Sequence, residues 1–387
     1  MLRPILLTLL TAVPAYAQAP RVVTDLPVTH SLVAQVMGDL GTPGVLLERG
    51  GDPHHAQLRP SQARALAGAD LVVWIGAGLS PWLEGPVGTL ATGQVLDLGA
   101  LDGLHRRDYG QDGAAGGHAE AHGHDDHGHD DHAHDDHAHD DHAHDDHSHD
   151  DHGHDDHAHD DHAHDDHAHD DHGHDDHAHD DHGQDGHGHD DHAHDDHAHD
   201  EHAHHDHAHH DHSHTGTDPH FWLDPQNAVL WLEAIAATLS AQDPGNATLY
   251  TANAVTAAED IRSLQAELAL ILAPAGDTGL VMFHDAYGYF AETFGLTVLG
   301  TVTGGDAAAP GAARLAGLRA QLAGAGALCL FPEANHPDDF VRVVAEGTDL
   351  RIGAPLDPAG VTLEPGPDLY ATLLRGLAQS IADCVAG

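Results

Sequence analysis

The chain has 387 residues, of which 47 are His and 64 are Asp or Glu, against only 13 Lys or Arg, and its formal charge at pH 7 is −51. Because the few Arg residues are scattered and form no basic patch, this composition argues against binding to nucleic acid or to an anionic membrane surface. The length leaves room for two domains.

The N-terminus has the pattern of a secretory signal peptide covering residues 1–17. Arg3 precedes an apolar run over residues 5–13, and Ala15-Tyr16-Ala17 supplies the small residues of a cleavage site. The apolar run is too short to span a bilayer, and no Cys follows to accept a lipid. We therefore expect an exported protein in the periplasm without stable membrane insertion; the alternative is a short buried N-terminal helix.

The next part of the chain alternates between short β-forming runs and helical patterns. Such alternation predicts an α/β unit with a mainly parallel sheet. The predicted strands are residues 22–24, 45–47, 71–75 and 95–98, and the predicted helices are residues 31–40, 61–67 and a shorter stretch from residue 81.

Residues 118–214 form a low-complexity insertion of 97 residues with 40 His, 34 Asp or Glu and no Lys or Arg, built mostly on the pentad His-Ala/Gly-His-Asp-Asp. With almost nothing to bury, such a segment cannot offset the entropy lost on folding, so we expect it to be disordered. Neutral imidazole suits Zn, Cu, Ni and Fe, which predicts many weak metal sites. A solvated acidic spacer is the alternative, although a spacer does not need His.

The sequence pattern of residues 246–273 predicts one unbroken helix. This helix is either a strut between two domains or a core helix of one domain, and the pattern is consistent with both. The strand and helix alternation then resumes. Its predicted strands are residues 280–283, 296–302, 328–331 and 350–352, and its helices are residues 286–294, 314–322, 337–345 and 368–384.

The expected fold class is therefore α/β, with two lobes of mainly parallel sheets joined by a long rigid helix, plus the disordered His-rich insertion. The expected domains are an N-terminal lobe over residues 18–245 that contains the insertion, a linker helix over residues 246–273 and a C-terminal lobe over residues 274–387.

Two cysteines, Cys329 and Cys384, both lie near the C-terminus. In an exported protein such a pair is more often bridged than free, and closing this loop would stabilise the fold by roughly 4 kcal/mol in the chain-entropy model. The alternative is that Cys329 is a small buried apolar residue.

Three histidines stand where predicted strands or apolar segments meet helices: His54, His220 and His284. Each of them alone is more often a structural residue than a ligand. Because α/β folds bind ligands at the carboxyl ends of their strands, we expect the three to meet in a cleft between the two lobes.

The segments around these histidines resemble one family. They are His54 with Leu58-Arg59-Pro60-Ser61, the run Ala69-Asp-Leu-Val-Val-Trp74, His220-Phe-Trp-Leu-Asp-Pro225 and His284-Asp-Ala-Tyr-Gly-Tyr-Phe290. Four motifs in this order are similar to the periplasmic zinc-uptake proteins of the ZnuA type, a metal-binding class of ABC-transporter solute-binding proteins. The resemblance covers residues 22–105 and 218–387.

The resemblance implies two α/β lobes joined by a rigid helix, one tightly held Zn²⁺ in the cleft and delivery of that ion to a permease in the inner membrane. It implies that His54, His220 and His284 are the three histidine ligands. Manganese and iron relatives usually have a carboxylate at the position of His284, so imidazole there favours zinc. We expect a monomer with no nucleic-acid partner.

For the fourth ligand, the resemblance offers Asp357 as a weaker candidate, with water or a histidine of the insertion as alternatives. Some zinc relatives have an acidic residue just before the first His, where this chain has Pro53. We interpret His55 as structural, because it points elsewhere if His54 binds metal. Glu333 resembles a family residue near the metal that would orient a ligand.

We therefore expect a zinc-capture protein that is not an enzyme, in which the insertion delivers, stores or senses zinc. A manganese or iron homologue is one alternative. A zinc hydrolase is another, since three His and a water also describe catalytic zinc.

Overall fold

The computed structural model describes residues 19–109, 216–304 and 309–387. The signal peptide predicted for residues 1–17 and the His-rich insertion of residues 118–214 lie outside the described residues. The described residues all belong to one compact unit.

The N-terminal lobe contains a four-stranded, fully parallel sheet in the order β2-β1-β3-β4. Each strand lies where the sequence predicted one, with bounds that differ by one or two residues. The strands are β1 (Val22–Thr24), β2 (Gly44–Val45), β3 (Leu71–Trp74) and β4 (Gln94–Asp97). The helices between them are α1 (Pro27–Met37), α2 (Pro60–Gly68) and α3 (Pro81–Leu90).

The C-terminal lobe repeats this topology with a second parallel sheet in the order β6-β5-β7-β8. The strands are β5 (Gly279–Met282), β6 (Thr297–Thr301), β7 (Ala327–Leu330) and β8 (Arg351–Ile352). The helices are α6 (Gly288–Phe294), α7 (Ala312–Leu322), α8 (Asp339–Ala345) and α9 (Leu369–Ala386). The prediction of two α/β lobes with parallel sheets is confirmed.

Helix α1 begins at Pro27, four residues before the predicted start at residue 31. The sequence pattern failed because residues 22–33 are all buried, so the first turns of this helix show no polar face. Pro27 suits the first helical position because the missing N–H would have no partner there. The side chain of Asp25 fixes the approach to the helix by accepting hydrogen bonds from the backbone N of Leu26 and of Ile75, both at 2.8 Å.

Two long helices connect the sheets: α4 (Pro225–Gln242) and α5 (Ala247–Leu272). Helix α5 packs against α1 and α4 of the N-terminal lobe and also against α9 of the C-terminal lobe. Its buried side chains run from Tyr250 to Leu272, which is nearly its whole length. The helix therefore joins the lobes, as a strut would, and is also a core helix of both.

The main hydrophobic core runs through both lobes without a break, from Val22 to Cys384. Buried hydrogen bonds tie the same region together. Trp222 Nε1 donates to the carbonyl of Pro358 across the lobes at 2.7 Å, and the hydroxyl of Tyr370 donates to the carbonyl of Trp222 at 2.7 Å. Separating the lobes would expose this core to water, so the fold favours a fixed cleft.

Cys329 in β7 and Cys384 in α9 form a disulfide, and the two residues are 55 positions apart in sequence. The predicted bridge is confirmed. It fastens the last helix to a central strand of the C-terminal sheet.

Replacing both cysteines by Ala should lower the free energy of unfolding by about 2–4 kcal/mol, because the unfolded chain loses a cross-link that restricts its conformations. Urea unfolding of the oxidised protein and of the double variant measures the difference. Equal unfolding midpoints would contradict a stabilising role of the bridge.

Candidate metal centre

His54 lies in the loop that connects β2 to α2. Two hydrogen bonds hold this loop: Trp82 Nε1 donates to the carbonyl of Pro53 at 2.8 Å, and the backbone N of His54 donates to Asp52 Oδ1 at 2.9 Å. The side chain of His54 is buried at the wall of the cleft. Pro60 is the first residue of α2 and disfavours helical backbone at the residue before it, so the segment of His54 remains a loop.

His220 immediately precedes the short 3-10 turn Phe221–Leu223 that leads into α4. Asp218 holds this residue twice, because its Oδ1 accepts from the backbone N at 2.9 Å and contacts the ring Nδ1 at 2.8 Å. The other carboxylate oxygen of Asp218 pairs with Arg107 Nη1 at 3.2 Å. The pair of Asp218 and Arg107 is almost fully buried.

His284 follows the end of β5 in the C-terminal lobe. Its ring Nδ1 is 2.6 Å from Oε1 of Glu333, which is also buried. The hydroxyl of Tyr287 donates to the same oxygen at 2.8 Å. The segment between β7 and α8 carries Glu333, so the carboxylate that contacts His284 belongs to the same lobe.

The three histidines meet between the lobes, and each offers one possible ligand atom within 4.8 Å of the others. Their ring centroids are 5.4, 5.4 and 6.1 Å apart. A tetrahedral zinc ion with Zn–N bonds of about 2.0–2.1 Å places its nitrogens about 3.3 Å apart, so the most distant pair of ligand atoms would approach by up to about 1.5 Å on binding. The structure thus brings together all three residues that the sequence singled out.

The carboxylates that contact Nδ1 of His220 and of His284 determine which ring nitrogen is available to a metal ion. Because Asp218 and Glu333 accept at Nδ1 of His220 and His284, the proton stays on Nδ1 and the lone pair of Nε2 remains available for a metal. An anionic partner at Nδ1 also makes the imidazole a stronger ligand.

The carboxylates of Asp218 and Glu333 are both buried, which affects their pKa values. Burial raises the pKa of Asp218 to about 6, although the backbone N–H of His220 and the charge of Arg107 act in the opposite direction. Burial also acts to raise the pKa of Glu333, but His284, Tyr287 and His336 together hold that pKa below its usual value. Both groups are therefore anionic acceptors at neutral pH.

Asp357 lines the same cleft, but its carboxylate already accepts three hydrogen bonds. Oδ1 accepts from the backbone N of Val361 at 3.0 Å, and Oδ2 accepts from the backbone N and the hydroxyl of Thr362 at 2.8 and 2.6 Å. The group of three metal-ligating side chains does not include Asp357. His55 also lies outside that group, with its ring Nδ1 3.4 Å from Asp52 Oδ2.

Three residues that contribute to the site were not identified from the sequence: Asp218, Arg107 and His336. Asp218 was visible two residues before His220, a spacing that lets a carboxylate reach the ring. The contact between Arg107 and Asp218 spans 111 residues and left no local signal. His336 lines the cleft and is one of only seven His outside the insertion, which would have been a reason to single it out.

Two similar α/β lobes with a buried cluster of three imidazoles between them define a two-lobed metal-binding protein. Comparison with known proteins gives its family. The model of the family described as "Zinc-uptake complex component A periplasmic" (ZnuA) matches residues 22–384. The chain belongs to this family.

Curated relatives agree. The high-affinity zinc uptake system protein ZnuA of Paracoccus denitrificans is 46% identical over 391 aligned residues, which cover 100% of this chain and 99% of that protein. The protein of the same name from Brucella suis is 36% identical over 366 residues and covers 94% of this chain and 91% of its own length.

Solved structures share the fold at low sequence identity. A crystal structure of ZnuA superimposes with a TM-score of 0.61 at 17% identity and covers 95% of this chain and 99% of its own. The manganese-bound periplasmic metal-binding protein of Candidatus Liberibacter asiaticus gives a TM-score of 0.60 at 18% identity with the same coverage. The two-lobed architecture with its helical linker is therefore the architecture of solved relatives.

Replacing Glu333 by Gln should weaken zinc binding by about 10–100-fold, because a neutral amide no longer strengthens the imidazole of His284. Competition titration against a chelator of known affinity measures the change. The matched control is Glu364→Gln, which changes a largely exposed residue paired with Arg49 and should leave affinity unaltered. The role assigned to Glu333 would be wrong if both variants bound zinc like the parent protein.

Proposed function

We propose that the chain captures one Zn²⁺ in the cleft between its lobes as the periplasmic binding component of a high-affinity zinc-uptake system. His54, His220 and His284 are the proposed protein ligands. The family model and the relatives named for high-affinity zinc uptake support this function. The group of three buried imidazoles supports zinc as the cargo.

The observation that carries the choice of metal is the donor set. All three side chains in the group supply imidazole nitrogen, and no carboxylate among the described residues joins them. Imidazole suits zinc, whereas manganese favours carboxylate, carbonyl and water oxygens. A manganese or iron transporter would be better served by an oxygen ligand at the position of His284.

Replacing His284 by Glu should therefore shift the ratio of zinc to manganese affinity toward manganese by at least about tenfold, because an oxygen replaces a nitrogen ligand. His284→Ala is the control that removes the ligand without supplying a new one. Competition titrations with both metals give the ratio. An unchanged ratio in His284→Glu would show that this position does not select the metal.

For the fourth ligand, Asp357 remains the weaker protein candidate. Its two oxygens already accept from Val361 and Thr362, but a carboxylate offers about four acceptor sites and could add a metal bond. A bound water is the second candidate, because zinc sites with three protein ligands commonly hold a water in the fourth position. A histidine of the insertion is the third possibility.

A hydrolase needs a carboxylate placed to act on a zinc-bound water. Around this cleft Asp218 and Glu333 contact the ligand rings, and Asp357 accepts from the backbone of residues 361 and 362. Asp52, which also lines the cleft, accepts from the backbone N of His54 at 2.9 Å. These bonds assign all four carboxylates to positioning roles. Together with membership of a binding-protein family, they favour capture without catalysis.

We further propose that residues 1–17 direct export to the periplasm, that the domain bounds are those predicted from sequence, and that the monomer delivers zinc to an ABC permease in the inner membrane. No helix among the described residues is both long and apolar enough to cross a bilayer. The fixed cleft suits a carrier that presents one ion to a partner.

The insertion is proposed to hold additional zinc weakly. Its flanks are joined, because Asp108 and Thr217 form an antiparallel bridge and the backbone N of Tyr109 donates to the carbonyl of Gly216 at 3.1 Å. The chain thus leaves and returns at one place on the N-terminal lobe. Removing residues 118–214 should therefore leave the lobes intact.

Deleting residues 118–214 should reduce zinc binding at neutral pH to one ion per chain with nearly unchanged affinity at the tight site, because all three ligands lie outside the deletion. Adding His54→Ala, His220→Ala or His284→Ala to the deleted protein should then abolish the tight site. Calorimetry measures both the number of zinc ions bound per chain and the affinity of the tight site. Full-length protein that binds only one zinc would refute the proposed store, and tight binding that survives all three substitutions would refute the ligand set.

A further inference from the structure

The cleft holds a fourth imidazole, His336, that the proposed zinc site does not use. Of the seven His outside the insertion, four line this one cleft: His54, His220, His284 and His336. The side chain of His336 is 24% exposed, whereas those of His220 and His284 are 2% and 8% exposed. His336 therefore stands nearer to solvent than these two inner ligands.

The ring of His336 is held in a fixed orientation. It stacks on Phe283 with ring centroids 4.8 Å apart and an interplanar angle of 22°. Its backbone N donates to the carbonyl of Glu333 at 3.2 Å, which closes the turn that carries both side chains. A ring fixed in this way loses little freedom when it binds a ligand.

The Nε2 atom of His336 is 3.6 Å from Oε2 of Glu333. This separation is too long for a hydrogen bond, in contrast to the 2.6 Å between His284 Nδ1 and Oε1 of the same carboxylate. One zinc ion bound to a nitrogen at about 2.0–2.1 Å and an oxygen at about 2.0–2.2 Å in tetrahedral geometry holds them about 3.4 Å apart. The gap therefore matches the span of a single chelated ion.

We propose that His336 Nε2 and Glu333 Oε2 form an outer zinc position through which the ion passes on its way into and out of the three-histidine site. This inference rests on the proposed zinc-binding function. Glu333 links the two positions, because Oε1 contacts Nδ1 of the ligand His284 and Oε2 lies 3.6 Å from Nε2 of His336. Water and neighbouring groups complete the coordination at the outer position.

Such a position lowers the barrier to exchange rather than the energy of the bound state. Zinc is able to expand from four to five ligands, so an ion that keeps two protein ligands at the mouth exchanges the others one at a time. Without the outer position the ion must be stripped of its inner ligands directly into water. Loss of the outer position slows binding and release alike and leaves the equilibrium unchanged.

The test uses the full chain loaded with one zinc per molecule, so that the tightest site is filled, and follows transfer of zinc to an excess of a colorimetric chelator. The variant is His336→Phe, which keeps an aromatic ring on Phe283 and removes the nitrogen. The matched control is His55→Phe, an exposed imidazole on the opposite lobe that is not part of the cleft lining. Zinc affinity is measured on the same three proteins by competition.

Release from His336→Phe should be slower than from the parent, because the ion loses the intermediate position on its way to the chelator. Its affinity should be unchanged, and His55→Phe should match the parent in both measurements. Equal release rates for His336→Phe and the parent would overturn the outer position. Faster release with weaker affinity would also overturn it, because His336 would then only support Glu333 electrostatically. A parent chain that does not hold its first zinc tightly would overturn the proposed function, and this inference with it.

Discussion

Two close contacts between a carboxylate and an imidazole, one in each lobe, set the geometry of the cleft. Asp218 holds His220 from the N-terminal lobe, and Glu333 holds His284 from the C-terminal lobe. Each contact occupies Nδ1 of its ring and leaves Nε2 as the nitrogen available to a metal ion. The site therefore depends on burial of two anions, which is tolerated because Arg107 neutralises one and Tyr287 donates to the other.

A site divided between lobes also needs the lobes to keep their spacing. Helix α5 packs along both lobes, and the hydrophobic core continues from one to the other. Near the metal cluster, the peptide N–H of Arg107 donates to the hydroxyl of Tyr289, and a side chain at Gly288 would collide with the guanidinium of Arg107. Such close packing disfavours a wide hinge motion, whereas tetrahedral zinc requires the histidine nitrogens to approach by only about 1–1.5 Å.

Much of the fold and of the metal site could be predicted from the sequence, because the patterns that specify them are local. Parallel strands and the helices that follow them have strong short-range patterns. His284 lies just after β5, His54 lies in the loop between β2 and α2, and His220 lies just before the turn that leads into α4. The start of α1 was predicted four residues late because its first turns are buried on every side and carry no amphipathic signal. The contact between Arg107 and Asp218 and the approach of His336 to the cleft depend on packing between distant segments, which no local pattern encodes.

The central claim is that three imidazoles from two lobes bind one zinc ion. X-ray absorption spectroscopy of protein lacking residues 118–214 and loaded with one zinc counts those ligands directly. The account predicts three imidazole nitrogens at about 2.0–2.1 Å, accompanied by one oxygen from water or a carboxylate. A spectrum that requires no more than one imidazole, or a majority of oxygen ligands, would contradict it.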